Sequence, residues 1–206
     1  MSADSDFRNV LNREFLVSAL IKAEAGDRLS EDELLAMFFL LLIAGHETTV
    51  NLISSGLLAL LENPDQMNKL RDDPRLIKPA VEELLRFTSP VFMTTERYTL
   101  EGASIHDVTI PRGEMILGVI GSANRDENVF DRPNELDLRR EPNKHLSFGQ
   151  GIHFCLGAPL ARTEAQVAIN TLLSRMPDLR LNVRADSLRW RPSMILRGLK
   201  SLPVRF

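Results

Sequence analysis

Apolar residues run unbroken for eleven positions from Leu34 to Ala44, and no helix breaker follows until Asn63-Pro64. Just ahead, Ser30-Glu31-Asp32-Glu33 offers an N-cap serine with a capping-box glutamate three residues on. The pattern predicts one helix from about Glu31 to Glu62, apolar nearly all round and therefore crossing the middle of a core. Upstream, Phe15 to Ala25 reads as a short amphipathic helix closed by Gly26. Pro64 and Pro74 bracket another short helix, and Leu76 to Phe87 forms a further one before Ser89-Pro90. Thr94 to Val119 is rich in Thr, Val and Ile and is punctuated by Gly102, Pro111 and Gly113, which predicts short strands and turns. Phe130 to Ser147 shows little periodicity and reads as an ordered irregular loop, long enough to carry function. Helical spacing returns after Cys155 (Ala161, Ala165, Ala168, Ile169, Leu172, Met176) and stops at Pro177. The tail alternates weakly at Leu179, Leu181 and Val183, then at Val204 and Phe206, as edge strands do. The fold class predicted is mainly α with a small β part, in a single domain over 1–206.

The 206 residues are 44% hydrophobic and 26% charged, which excludes a disordered chain. A net charge of -3 argues against a general nucleic-acid binder. The eleven-residue run falls short of the ~20 a membrane-spanning helix needs, and Met1-Ser2-Ala3-Asp4 lacks the basic-then-apolar pattern of a signal peptide. A cytoplasmic protein with no membrane attachment is expected. Its one cysteine, Cys155, rules out an intramolecular disulfide framework and a Cys-Cys zinc pair. Charge is uneven: Cys155 to Phe206 holds nine Lys/Arg against three Asp/Glu, a net of +6, so the remainder carries -9. Two readings stay open, a solvated surface and a docking face for an acidic partner.

The most informative stretch is Phe148-Gly149-Gln150-Gly151-Ile152-His153-Phe154-Cys155-Leu156-Gly157. Three glycines in nine residues mean sharp turns or a close approach to something. Cys155 lies where this loop meets the next helix, whose free N–H groups stabilise a thiolate. A sulfur delivered that way suits an iron ligand, with Phe148, Ile152, Phe154 and Leu156 as an apolar shield. The alternatives fare worse. The glycine spacing fails the dinucleotide fingerprint at its third glycine, and no Cys-x-x-Cys-His is present for covalent haem.

Two further motifs carry chemistry. Ala44-Gly45-His46-Glu47-Thr48-Thr49 sets glycine and hydroxyls into the apolar helix, where threonine can bond back to carbonyls a turn earlier and open a polar groove. A zinc-protease reading of His46-Glu47 lacks the second histidine. Glu83-Leu84-Leu85-Arg86 places opposite charges at i and i+3 on one helix face, by default a surface pair of well under ~1 kcal/mol.

Taken together, these residues resemble the cytochrome P-450 monooxygenases. Phe148, Gly149, Gly151, His153, Cys155 and Gly157 look like that family's haem-binding signature, in which a cysteine thiolate ligates the iron. The resemblance implies Cys155 as metal ligand, His153 and Arg97 (in Thr95-Glu96-Arg97) as haem-propionate partners, and Phe148 packed near the sulfur. Ala44 and Gly45 are similar to the positions that leave room for dioxygen, and Glu47 and Thr48 to the acid–alcohol pair that delivers protons. Glu83 and Arg86 resemble the family's Glu-x-x-Arg, which is tied to an arginine before the cysteine loop, here Arg140. Pro111-Arg112-Gly113 and Asn124-Arg125-Asp126, with Phe130 and Pro133, agree in order and spacing. The likeness spans roughly Phe15 to Phe206 but only the carboxy-terminal half of the cytochrome P-450 fold. The absent half would bring a His-x-x-x-Arg propionate clamp, lid helices and much of a sheet.

What this implies is a haem-thiolate monooxygenase that uses haem b, with electrons from NAD(P)H through a ferredoxin or flavoprotein reductase. Its substrate is a small hydrophobic organic molecule met by Leu40 and Ala44, by Val91 to Thr94, and by Met194 and Ile195. Lys144, Arg139 and Arg162 beside the loop would face an acidic redox partner. Two other classes are carried alongside, a non-catalytic haem-binding remnant and a haem-free helical interaction module. In each case an exposed core face would draw a complementary chain or a second copy.

Overall fold

The computed structural model describes residues 29–206; the helix expected over Phe15 to Ala25 lies outside them. The described residues divide into two units at His46/Glu47. The boundary falls inside helix α1 (Glu31–Glu62), which runs unbroken through Gly45. Its start is the expected capping box: the Glu33 amide donates to Ser30 Oγ (3.3 Å) and the Ser30 amide to Glu33 Oε2 (2.8 Å). The expectation that α1 crosses the core along its whole length fails. Burial begins at Thr49 and continues through Leu52, Leu57, Leu58 and Leu60, whereas Leu35, Phe39, Leu40, Leu42 and Ile43 are exposed. By length and composition α1 is also apolar enough to cross a membrane, which the eleven-residue run did not indicate. Its buried second half, with Asn51 and Ser55 among the leucines, is that of a core helix.

Helix α2 (Pro64–Asp72) and a 3-10 turn (Pro74–Leu76) lead into α3 (Ile77–Thr88). Each begins on a proline or its aftermath, where the missing N–H costs nothing. Helix α3 buries Ala80, Val81, Leu84 and Leu85 against α1 residues Leu52 and Leu60 and against Ala165, Ile169 and Leu173 of helix α5 (Ala158–Arg175). Gly56 is the close point on α1: a Cβ there would stand 3.3 Å from the Leu84 side chain.

Among the described residues the β part is three two-stranded antiparallel pieces. Strand β1 (Arg97–Tyr98) pairs with β4 (Met115–Ile116), β2 (Ala103–Ile105) with β3 (Val108–Ile110), and β5 (Arg180–Leu181) with β6 (Val204–Arg205). A short helix α4 (Ile120–Ala123) follows β4. Between α4 and α5 the chain has no helix or strand longer than the 3-10 turn Gly151–His153, which matches the irregular loop expected there.

Candidate functional site

Helix α3 holds the irregular segment with two adjacent carboxylates that point into different clusters. Glu83 and Arg86 are both fully buried, not the surface pair that their spacing suggests by default. The Glu83 carboxylate accepts from Arg86 Nε (2.7 Å) and Nη2 (2.8 Å), Arg140 Nε (3.1 Å), the Asp137 amide (3.0 Å) and Asn143 Nδ2 (3.0 Å). Arg86 reaches on to the carbonyls of Asn124 (2.9 Å), Pro133 (2.8 Å) and Glu135 (3.1 Å). Arg140 donates to the carbonyls of Asp131, Arg132 and Glu135. Loop carbonyls that no strand partner satisfies are thus taken up by guanidinium groups, as buried polar atoms require.

Glu82 faces the cysteine side. It pairs bidentately with Arg162 on α5 (Nε 2.7 Å, Nη2 2.9 Å) and meets His145 Nε2 at 3.0 Å. Burial alone would raise its pKa, but the hydrogen bonds from His145 and Arg162 outweigh it and bring the carboxyl down to about 2 from an ordinary 4.5. A carboxylate depressed on folding contributes stability that is complete above its unfolded value and is lost as pH falls through the folded one. Glu82→Gln should therefore cost about 2 kcal/mol near neutrality, with screening at this partly exposed group allowed for. That deficit should shrink as the pH is taken from 4.5 toward 2. Urea unfolding of parent and variant across that range measures it; a pH-independent deficit would remove the ionised pair from the account.

The cysteine loop is closed on itself. The Cys155 amide donates to the Phe148 carbonyl (2.9 Å), Gly149 to Leu146 (2.8 Å) and Phe154 to Gly151 (3.0 Å). Gly149 (φ +70°) and Gly151 (φ +77°) adopt the left-handed backbone that L side chains rarely enter. Beyond it, α5 begins at Ala158 with Gly157 as N-cap, and a Cβ on Gly157 would lie 3.9 Å from Cys155 Sγ. Cys155 is half-buried, and the apolar residues around it face outward: Ile152 is 97% and Leu156 86% exposed. Phe148 packs inward beside Phe154 and His145. Asn124, fully buried, holds this loop to the end of α3: Nδ2 donates to Ser89 Oγ and Ser147 Oγ, Oδ1 accepts from the Leu146 amide, and Ser147 Oγ donates to the Leu85 carbonyl.

The other expected site residues are more scattered. His153 is exposed on the 3-10 turn, and Arg97 is exposed with its guanidinium on Thr95 Oγ1 (3.0 Å); no hydrogen bond joins Arg97 to the loop among the described residues. On α1, Glu47 and Thr48 are half-buried, Arg191 approaches Glu47 at 3.4 Å, and Leu40, Ala44 and Gly45 are exposed. Val91 pairs with Leu196 in an isolated bridge, the Phe92 amide donates to the Ile195 carbonyl (2.7 Å) and Thr94 Oγ1 accepts from the Gly118 amide (2.9 Å). Val91, Thr94 and Ile195 thus share one neighbourhood, and exposed Met194 lies at the rim of a shallow cavity with Phe92, Met93 and Trp190. Of the three cations expected to face a redox partner, Arg162 is partly exposed, paired with Glu82 and placed over the Phe148 ring, and Lys144 and Arg139 are exposed. Glu82, His145 and Ser147 escaped the sequence reading, and Asn124 entered it only as part of a family-like stretch with no task of its own, since no motif marks a polar residue as buried.

The family with this arrangement is the cytochrome P450s, and residues 3–177 match its sequence profile. The chain belongs to that family. It is 56% identical over 191 residues (92% of the chain) to cytochrome P450 107B1 of Saccharopolyspora erythraea. It is 52% identical over 198 residues (96%) to the polyketide biosynthesis cytochrome P450 PksS of Bacillus subtilis. Among solved structures, the tirandamycin C-bound P450 monooxygenase TamI superposes with a TM-score of 0.90 at 48% identity, over 97% of the chain and 50% of TamI. The chain spans about half the length of the curated relatives it matches, 47% and 49% for the two named.

Proposed function

We propose that this chain is the cysteine-bearing portion of a cytochrome P450 monooxygenase. The observation that carries the reading is a loop kinked at two left-handed glycines that presents one cysteine among outward-facing Ile152, Phe154 and Leu156. The residues fit a haem. Among the described residues no group of three or more His, Cys, Asp or Glu stands together to hold a bare metal ion. A lone sulfur therefore suits a metal that arrives with its other donors, and the bare apolar rim suits a flat macrocycle. When bound, haem b supplies thiolate-ligated iron chemistry that puts one atom of dioxygen into an organic substrate, using electrons from NAD(P)H through a ferredoxin or flavoprotein reductase.

The chain's own residues have defined tasks in this reading. Cys155 binds the iron through its sulfur, His153 and Arg97 hold the propionates, and Phe148 covers the side of the sulfur away from solvent. Thr48 Oγ1 and the Glu47 carboxyl hold and pass the proton that oxygen activation consumes, and Arg191 opposite Glu47 keeps that carboxyl oriented. Val91, Thr94, Met194 and Ile195 line the space for a small, largely apolar substrate, a class supported by the tirandamycin bound to TamI and the polyketide pathway in the name of PksS. The protein works in the cytoplasm, and its remaining apolar face is covered by the family's other half. The exposed Leu35, Phe38, Phe39, Leu40, Leu42 and Ile43 support this last point, because a patch so large marks an interface.

Hemin titration tests the reading. The reduced, carbon-monoxide-treated chain should show the red-shifted Soret band of thiolate ligation, with binding tightened when a polypeptide of the family's first half is added. Neither a band nor tightening with that polypeptide present would leave the haem-free interaction module standing.

A further inference from the structure

We propose that Arg162, clamped by Glu82 and His145, is the positioning residue that fixes the Phe148 ring and through it the loop presenting Cys155; this rests on the haem-ligand reading of that loop. Arg162 lies one turn into α5. Two of its N–H groups are spent on Glu82, and its guanidinium lies over the Phe148 ring with the central carbon 4.5 Å from the ring centre. A guanidinium gripped in this forked way is held flat, the orientation in which it stacks on an aromatic face.

His145 completes the clamp. Its side chain is 96% buried, and its Nδ1 accepts from the Ser147 amide (3.2 Å). An amide can only donate, so the ring proton sits on Nε2 and is given to Glu82. The His145 ring also lies against Phe148 (centroids 6.1 Å, tilted 53°), and Phe154 lies on another side (6.4 Å, 60°). Phe148 is thus enclosed by Arg162, His145 and Phe154, and its carbonyl is the one that receives the Cys155 amide. The link from α3 to the sulfur is continuous: Glu82 orients Arg162, Arg162 orients Phe148, and the Phe148 backbone closes on Cys155. The pKa of Arg162 is raised, chiefly by the Glu82 hydrogen bond and to a smaller extent by Cys155, so a fixed positive charge stands on the sulfur's side.

The test uses Arg162→Gln, Arg162→Lys and Glu82→Gln in the full chain, with two readouts. In the haem-free chain, hydrogen exchange of the Cys155 amide should rise in Arg162→Gln and Glu82→Gln at least tenfold more than exchange of the core amides Leu84 and Ile169, which follows the global loss of stability; a rise no greater than theirs counts against the clamp. Arg162→Lys, with charge but no plane, should restore the Cys155 protection only in part. In the haem-loaded chain, Arg162→Gln should keep the thiolate-type carbon-monoxide band yet move the reduction potential negative, because a cation that favours the reduced centre is gone. Parental exchange at Cys155 in both Arg162→Gln and Glu82→Gln overturns the proposal. A parent without the thiolate band overturns the functional reading instead, and the exchange arm still decides the clamp.

Discussion

Arg86→Leu should abolish cooperative folding of the 47–206 unit. The side chain is fully buried and holds Glu83 through two N–H groups and three loop carbonyls through the others. Removing one partner of a buried pair leaves an uncompensated charge, at a cost of about 3–5 kcal/mol. Each orphaned carbonyl adds about 1–3 kcal/mol where water cannot reach it. The sum rivals the ~5–15 kcal/mol that stabilises a whole domain. Arg86→Lys retains the charge but offers a point donor that cannot serve a carboxylate and three carbonyls at once, so it should recover only part of the loss. Circular dichroism in urea would show it: a steep transition in the parent, a broad or absent one in Arg86→Leu. A shift worth less than ~1 kcal/mol would return the pair to the exposed class that its spacing alone suggests.

The second large effect is chemical. Cys155→Ala should eliminate the red-shifted carbon-monoxide band completely while leaving the fold unchanged. Among the described residues no hydrogen bond of the Cys155 side chain holds the loop; its backbone does that work, the amide donating to the Phe148 carbonyl and the carbonyl accepting from the Ala158 amide. Alanine fits wherever cysteine does, and the half-buried site leaves no large void. An alanine variant with the parent's spectrum would mean that iron is held elsewhere, and would remove Cys155 as ligand. By contrast, alanine at Gly149 or Gly151 should damage both fold and spectrum, since each sits at positive φ.

Much of this was legible in the chain. Prolines and the capping box delimit α1 to α3 within a residue or two, because caps and breakers are local chemistry that no tertiary contact overrides. Arg140 could be matched to Glu83 across 57 positions only through family likeness; periodicity holds no such information. What stayed hidden is burial. Glu-Glu-Leu-Leu-Arg reads as an exposed helix face, and nothing local says that Glu83 is sealed while adjacent Glu82 is only partly covered. Apolarity all round α1 likewise predicts neighbours on every side but cannot say which chain provides them. On α5 the same effect is smaller: Leu173, not Leu172, takes the deep position, since a helix rotates to suit its partner.

Two consecutive glutamates on one turn of α3 anchor the chain on both sides of a short span. Glu83 grips Asp137, Arg140 and Asn143, and Glu82 grips His145 and Arg162. Between Asn143 and Phe148 the backbone has almost no slack, so chain length there is a fixed quantity. One added residue would displace His145 and Phe148 from their seats while leaving both glutamates in place. Among the described residues the turns joining β1 to β4 are held by strand pairing with one another, with no glutamate of α3 gripping them. Insertions and deletions that arise as such a gene diverges should therefore collect there, and the span from Asn143 to Cys155 should keep its residue count even where its side chains change.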